Sequence, residues 1–154
     1  MKILILCTGN SARSILAEYL LRNFGRGRFE VHSAGAKPTG RVNPFAVRVL
    51  KENYGLDASE ARSKSWDEFR DVKFDFVITV CDHAKESCPV WRGAPVVAHW
   101  GSPDPAGVQG DDAAKLRAFQ EVAAEIADRV QRFCALPPEK LRDAAAVRAI
   151  GAAR

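Results

Sequence analysis

The fold is decided by the stretch Ile3-Leu4-Ile5-Leu6-Cys7-Thr8-Gly9-Asn10-Ser11-Ala12-Arg13-Ser14 of this 154-residue chain. Its first four residues are all apolar, which is typical of a strand that is buried on both faces of a parallel sheet. The small and polar residues from Cys7 to Arg13 break this pattern and predict a loop. Ser14 is a candidate N-cap for an amphipathic helix that Gly25 ends. A strand, a polar loop and a helix in this order predict one unit of an α/β protein.

Strand and helix signals alternate along the rest of the chain. We expect further strands at residues 29–34, 74–80 and 95–98, and helices that begin near Asn43, Ser65 and Asp111. The alternation predicts an α/β fold, a three-layer sandwich with a four-stranded parallel sheet and helices on both faces. We place one domain at residues 1–134 and a C-terminal extension at residues 135–154, for which a helix and a frayed end are both open.

The composition indicates a single globular domain and excludes several classes of protein. Apolar residues make up 47% of the chain and charged residues 27%, so the chain can bury a core. The net charge of +4 is small and is not concentrated in one segment, so we expect no nucleic-acid partner. No stretch is apolar enough for a membrane span or a signal peptide, so we expect a cytoplasmic protein that does not bind membranes. Its four cysteines then need an explanation other than structural disulfides.

Cys7 and Arg13 are the chemically distinctive residues of the first loop. Backbone N–H groups and the helix N-terminus converge in such a loop and favour an anion there. Arg13 can add a planar fork that binds an oxyanion, and the positive surroundings are expected to lower the pKa of Cys7. We predict that Cys7 is a nucleophile and that the Ser14 hydroxyl donates to its sulfur, although a buried, merely packed cysteine is the alternative. The oxyanion-binding residues would be Thr8, Gly9, Asn10, Ser11, Ala12 and Arg13.

Cys81 and Cys88 lie seven positions apart, at and after the end of the third predicted strand. Zinc is disfavoured because the spacing is long and only His83 is near, while two inert packed thiols are a second alternative. Loops after parallel strands gather at one sheet edge, so we expect Cys81 beside the Cys7 loop. Cys88 could then resolve a disulfide by thiol exchange, provided that the segment between the two cysteines is flexible.

Asp104 is a candidate general acid for the same sheet edge. Pro103 and Pro105 hold it on a stiff turn, which suits a carboxyl group that must meet a leaving oxygen. The alternative is an aspartate that only makes a turn.

These segments together resemble the low-molecular-weight tyrosine phosphatase superfamily, and most closely its arsenate reductase branch. The motifs are Cys7-Thr8-Gly9-Asn10-Ser11-Ala12-Arg13-Ser14, Ser33-Ala34-Gly35, Val80-Cys81 with Cys88-Pro89, and His99-Trp100-Gly101 with Asp104-Pro105-Ala106-Gly107. The resemblance runs from Met1 to about Phe133. The Cys81/Cys88 pair favours the reductases, and so does Ala106-Gly107, where the phosphatases are expected to carry tyrosines.

The resemblance implies that Cys7 attacks arsenate, which Arg13 and the loop amides hold, while Asp104 protonates the departing hydroxyl. Cys81 would then attack the sulfur of the adduct and expel arsenite, and Cys88 would move the disulfide to Cys81–Cys88. Thioredoxin would reduce that disulfide, with glutathione and glutaredoxin as the alternative reductant and no metal or other cofactor. Phosphomonoester hydrolysis, with Cys7, Arg13 and Asp104 alone, is the alternative reaction. A third possibility is an oxyanion-binding domain in which the cysteine pair is a redox switch.

The chain departs from the resemblance near the first loop. Ala12 stands where many of these reductases have a second cysteine. Some relatives bind potassium at the positions of Asn10, Glu18 and Ser33, but Lys64 falls where an acidic ligand would complete that site. We therefore predict no potassium, and we expect Asn10 to brace the loop. Cys134 has no role in this scheme.

Overall fold

The computed structural model describes residues 1–89, 91–93 and 95–152. Within them, the strands are β1 (Lys2–Cys7), β2 (Glu30–Gly35), β3 (Phe76–Thr79) and β4 (Val96–His99). The helices are α1 (Arg13–Gly25), α2 (Pro44–Tyr54), α3 (Asp82–Ser87), α4 (Asp112–Cys134), α5 (Pro138–Leu141) and α6 (Ala144–Ala152). Two short 3₁₀ turns span Trp66–Phe69 and Pro105–Gly107.

The four strands form one parallel sheet in the order β2-β1-β3-β4. Ile3, Leu4, Ile5 and Leu6 of β1 are fully buried, because β1 has a strand on each side and lies inside the sandwich. Helices join consecutive strands, as parallel pairing requires. The predicted α/β sandwich with a four-stranded parallel sheet is confirmed.

Several element boundaries differ from those that the sequence predicts. Asn43 and Asp111 cap α2 and α4 as expected. Ser14 is not the N-cap of α1: the helix starts at Arg13 after Ala12, and Ser14 is completely buried in its first turn. The segment after Cys81, which was expected to be flexible, forms α3.

The C-terminal tail forms α5 and α6 rather than a frayed end. Helix α6 packs on β4, the outer strand of the sheet. The Trp100 indole donates to the Val147 carbonyl at 3.1 Å, and Arg148 Nε donates to the Val97 carbonyl at 2.9 Å. Arg148 thereby supplies a donor to the edge strand. The division into residues 1–134 and 135–154 stays a prediction, and Ala153 and Arg154 lie outside the described residues.

The helices of the described part of the chain are too short or too polar to cross a bilayer.

Gly151 fixes how closely α6 approaches β4. A Cβ atom there would collide with the His99 carbonyl and lie 2.8 Å from Trp100 Cδ1. We expect Gly151→Ala to lower the free energy of unfolding by about 1–3 kcal/mol through overpacking. Urea unfolding followed by circular dichroism would measure it. Ala149→Leu on the exposed side of α6 is the control, and equal stability of Gly151→Ala and wild type would contradict this close packing.

Candidate active site

The loop after β1 holds its carbonyl groups on its outer side. Thr8 O accepts from Lys37 N at 2.9 Å, Gly9 O from Thr39 N at 3.0 Å, and Ser11 O from Asn43 N at 2.9 Å. Gly35 makes this arrangement possible, because a Cβ atom there would lie 2.5 Å from the Thr8 carbonyl oxygen. Carbonyls bonded outward are a feature of loops whose N–H groups bind an anion on the inner side, and anion binding by this loop stays a prediction.

Asn10 sets the turn of this loop. Its backbone has a φ of 46°, in the left-handed region that is uncommon for residues other than glycine but that asparagine adopts more readily than most. The buried side chain holds the residue there. Its Nδ2 donates to Ser14 Oγ at 2.8 Å and to Ser33 Oγ at 2.9 Å, and its Oδ1 accepts from Lys64 N at 2.9 Å. The structure thus places the Ser14 hydroxyl on Asn10, while its donation to the Cys7 sulfur stays a prediction.

The Lys64 ammonium group lies beneath the loop. Its Nζ is 3.0 Å from the Arg62 carbonyl oxygen, 3.4 Å from Ser33 Oγ and 3.8 Å from Glu18 Oε1. Ser33 also donates a short hydrogen bond to Glu18. Burial lowers the pKa of Lys64, and the Glu18 carboxylate opposes that shift. A cationic group of the chain therefore occupies the position at which the resemblance places potassium, and the absence of potassium stays a prediction.

The structure brings Cys7, Arg13 and Asp104 to one cavity of about 200 Å³. Its lining consists of Cys7, Gly9, Asn10, Ser11, Ala12, Arg13, Thr39, Asp104 and Ala106. Arg13 Nη1 donates to the Ser102 carbonyl at 2.9 Å, which ties the guanidinium to the loop after β4. Asp104 begins the 3₁₀ turn and accepts from Ala106 N at 3.0 Å. A cavity of this size suits a small tetrahedral oxyanion between a thiol, a guanidinium and a carboxyl group.

Cys81 lies beside Cys7, as the parallel sheet predicts, but it does not line the cavity itself. All four cysteines are free thiols, and Cys7 and Cys81 are only 6% and 5% exposed. The Cys7 thiol donates a hydrogen bond to the Cys81 sulfur. The same sulfur accepts from the Thr8 backbone N–H at 3.3 Å and lies 3.4 Å from the Thr8 hydroxyl oxygen. The backbone N–H of Ala84, in the first turn of α3, lies near the same sulfur and also lowers the pKa of Cys81.

These contacts act in opposite directions on the pKa values of the two thiols. The hydrogen bond from Cys7 is the main cause that lowers the pKa of Cys81 to about 4, and Thr8 and the Ala84 N–H add to it. The pKa of Cys7 is raised, first because Cys7 is the donor in that bond and then because it is buried. The expected lowering of the Cys7 pKa by Arg13 exists but is outweighed. The two sulfurs thus share one proton and titrate as a pair.

Cys88 is not in this cavity. It follows α3 and lines a separate cavity of about 530 Å³ between α3, β4 and α6, and burial raises the pKa of its thiol. Seven residues of helix advance by about 10 Å, whereas a disulfide needs Cα atoms within about 7 Å. A Cys81–Cys88 disulfide therefore requires α3 to unwind.

Helix α3 is built so that unwinding needs little energy. It has six residues, of which only Ala84 is buried. Its start is held by Asp82, whose carboxylate lies 2.9 Å from His99 Nε2, and the other His99 nitrogen lies 2.8 Å from Thr79 Oγ1. A helix this short and exposed opens locally at small free-energy cost.

Sequence reasoning missed two groups of residues at the site. His99 and Asp82 pair across α3 and β4, and no local pattern indicates this contact. Arg129 of α4 is 2% exposed and bonds to the loop after β4. Its signal was available, because Arg129 is a charged residue on the apolar side of the helix, between Ile126 and Phe133. Within the described residues, no group of three or more His, Cys, Asp or Glu side chains could hold a metal ion.

Comparison with known proteins agrees with this geometry. Residues 2–146 match the family described as low molecular weight phosphotyrosine protein phosphatase. The chain belongs to this family. Within it, the chain is 40% identical to an arsenate reductase of Halalkalibacterium halodurans over 131 residues, which cover 85% of this chain and 93% of that protein.

Solved structures of low-molecular-weight phosphatase relatives are also similar. The crystal structure of an arsenate reductase from Archaeoglobus fulgidus superposes with a TM-score of 0.71 at 30% identity, over 87% of this chain and 99% of that one. A thioredoxin-dependent arsenate reductase of Corynebacterium glutamicum superposes with a TM-score of 0.63 at 27% identity, over 94% of this chain and 61% of that one.

The Thr8 hydroxyl gives a test of the sulfur pair. Thr8→Val removes a donor that stabilises the Cys81 thiolate, so we expect the pKa of Cys81 to rise by about one unit. The pH dependence of Cys81 alkylation, read by peptide mass spectrometry, measures this shift. Thr39→Val is the control, since the Thr39 hydroxyl donates to the Arg41 carbonyl instead. An unchanged midpoint in Thr8→Val would show that this bond does not stabilise the thiolate.

Proposed function

We propose that the chain reduces arsenate to arsenite through a relay of three thiols. The observation that carries the proposal is the contact between Cys81 and Cys7, the cysteine that lines the cavity. A phosphatase of this architecture needs one thiol there, whereas a reductase needs a second thiol that can reach the first. The identity with the Halalkalibacterium halodurans arsenate reductase supports this choice.

The first step is the attack of the Cys7 thiolate on arsenic. Transfer of the shared proton from Cys7 to Cys81 generates this thiolate without changing the charge of the pair, and Arg13 favours it. The guanidinium and the loop N–H groups hold the oxyanion, and Asp104 protonates the hydroxyl that leaves as water.

The second step reduces arsenic. Cys81 loses its proton and attacks the Cys7 sulfur, a Cys7–Cys81 disulfide forms, and the electron pair of the broken sulfur–arsenic bond remains on arsenic. Arsenate is reduced by two electrons to arsenite, while two thiols are oxidised. Cys88 then attacks the Cys81 sulfur as α3 unwinds, which releases the Cys7 thiolate and leaves a Cys81–Cys88 disulfide.

An external dithiol protein completes the cycle. We propose thioredoxin, in the reducing cytoplasm, because Cys81 and Cys88 flank an exposed helix and because one similar structure is a thioredoxin-dependent arsenate reductase. Glutathione with glutaredoxin is the alternative reductant. The scheme uses thiols as the only electron carriers and has no step for a metal or another cofactor.

Hydrolysis of phosphomonoesters is the second candidate function. Its supporting observations are the family match and the meeting of Cys7, Arg13 and Asp104 in one cavity. It needs neither Cys81 nor Cys88, so rapid hydrolysis of phenyl phosphate by a Cys81→Ser, Cys88→Ser double variant would favour it.

Single cysteine substitutions test the relay. We expect Cys7→Ser and Cys81→Ser to release no arsenite, and Cys88→Ser to release at most one equivalent and to lose turnover with thioredoxin. Cys134→Ser, outside the relay, is the matched control and should keep the wild-type rate. The measurement is arsenate-dependent oxidation of NADPH through thioredoxin reductase and thioredoxin. Full turnover by Cys88→Ser would overturn the thioredoxin relay and favour glutathione with glutaredoxin.

The role of Asp104 as general acid can be tested by comparing the rates for substrates whose leaving groups differ in their need for a proton. Asp104→Asn cannot donate a proton, so we expect arsenate reduction and phenyl phosphate hydrolysis to slow by about a hundredfold or more. Hydrolysis of p-nitrophenyl phosphate should slow less, because its leaving group needs no proton. Asp112→Asn, at an exposed position of α4, should leave all three rates unchanged. Equal losses with both esters would argue against a general acid at Asp104.

A further inference from the structure

Arg129 is a buried cation on α4 that bonds to the loop after β4. Its Nη1 donates to the Gly101 carbonyl at 2.6 Å and to Ser102 Oγ at 3.1 Å. Its Nη2 lies 3.0 Å from Glu125 Oε1, one turn earlier on the same helix. Arg129 is 2% exposed, and burying a guanidinium is unfavourable unless its partners compensate for lost water. The side chain is therefore a specific connection between α4 and this loop.

The loop residue that Arg129 holds is also the residue that holds Arg13. Ser102 donates its N–H to the Val80 carbonyl at 3.2 Å, which anchors its backbone beyond the end of β3. Its carbonyl oxygen accepts from Arg13 Nη1 at 2.9 Å, and its hydroxyl lies on Arg129. Two guanidinium groups thus meet at Ser102, one from the oxyanion loop and one from the core.

Asp104 depends on the same segment. It follows Ser102 by two residues, and the turn Pro105–Gly107 that it begins packs against α4. A shift of the backbone at Gly101 and Ser102 would therefore move both the guanidinium that binds the oxyanion and the carboxyl group that protonates it. Displacements of about 1 Å in such groups have large effects on rate.

We propose that Arg129 is a positioning residue, which sets Arg13 and Asp104 over the oxyanion loop by fixing Gly101 and Ser102. This role deepens the proposed function, since it concerns the same site. It concerns binding of any tetrahedral oxyanion there, and so it can be tested apart from arsenate reduction. Arg129 is not among the residues that line the oxyanion cavity, so it acts there only through the loop after β4.

The experiment measures inorganic phosphate binding by calorimetry, and steady-state arsenate reduction, in Arg129→Met and Ser102→Ala. We expect Arg129→Met to weaken phosphate binding by about tenfold and to raise KM for arsenate. Ser102→Ala removes one acceptor and keeps every charge, so a smaller loss in the same direction is expected. The stoichiometry from calorimetry counts the binding-competent sites, so that a loss of folded protein is not mistaken for weaker affinity.

Two further variants distinguish a positioning role of Arg129 from an effect on protein stability and from an effect of its charge alone. Arg132→Met removes an exposed i,i+4 ion pair with Asp128 from the same helix and should bind phosphate as wild type does. Arg129→Lys keeps the charge but loses the fork that binds the loop through Nη1 while Nη2 binds Glu125, so intermediate affinity is expected. Wild-type affinity per site in both Ser102→Ala and Arg129→Lys would overturn the proposal, and so would an Arg129→Met variant that only lowers Tm. If the phosphate affinities of the variants differ from that of the wild type as expected, but the wild type reduces no arsenate, the proposed function fails and the role of Arg129 stands.

Discussion

Parallel pairing of β1 with β3 is the constraint on which the site depends. In this register Leu6 lies opposite Thr79, so the two chains leave the sheet at the same height, one into Cys7 and the other towards Cys81. Strand β4 continues the register with His99 opposite Thr79, and the loop that bears Asp104 leaves at the same edge. The Cys7 thiol, a second sulfur and a carboxyl group therefore converge because three parallel strands end together.

The oxyanion loop takes its shape from groups outside it. Its carbonyls are fixed by the chain after β2, and the left-handed Asn10 is held by Ser14, Ser33 and Lys64. Strain of this kind persists only where the surroundings determine it, and here they are buried and charged. Lys64 places its amino group beneath the loop, where burial lowers its pKa and the Glu18 carboxylate opposes that shift. The shape of the loop is thus held by side chains of the protein itself.

Residues whose role follows from local order were predictable from sequence. Cys7 and Arg13 stand at a strand-to-helix loop, and Asp104 stands between two prolines, so parallel topology alone brings them together. The direction of the Cys7 pKa was not predictable, because it depends on the hydrogen bond of Cys7 with Cys81 and on the burial of Cys7. The same holds for Ser14, which resembles an N-cap in sequence but bonds to Asn10. Arg129 stands out as a charged residue on the apolar side of α4. The helical period places it at the core but does not indicate its partner on another element.

The charge on Cys81 also connects the chemistry with the structure of α3. Cys81 is the N-cap of this helix, and a thiolate there would interact favourably with the helix N-terminus, where the Ala84 N–H lowers the pKa of Cys81. In the proposed relay, oxidation converts that thiolate into a neutral disulfide sulfur and removes the interaction. The helix is then weakened at the stage when Cys88 must approach Cys81, while reduction restores the charge and favours the helix again. Oxidation and unwinding are thereby thermodynamically linked, because each removes an interaction that opposes the other.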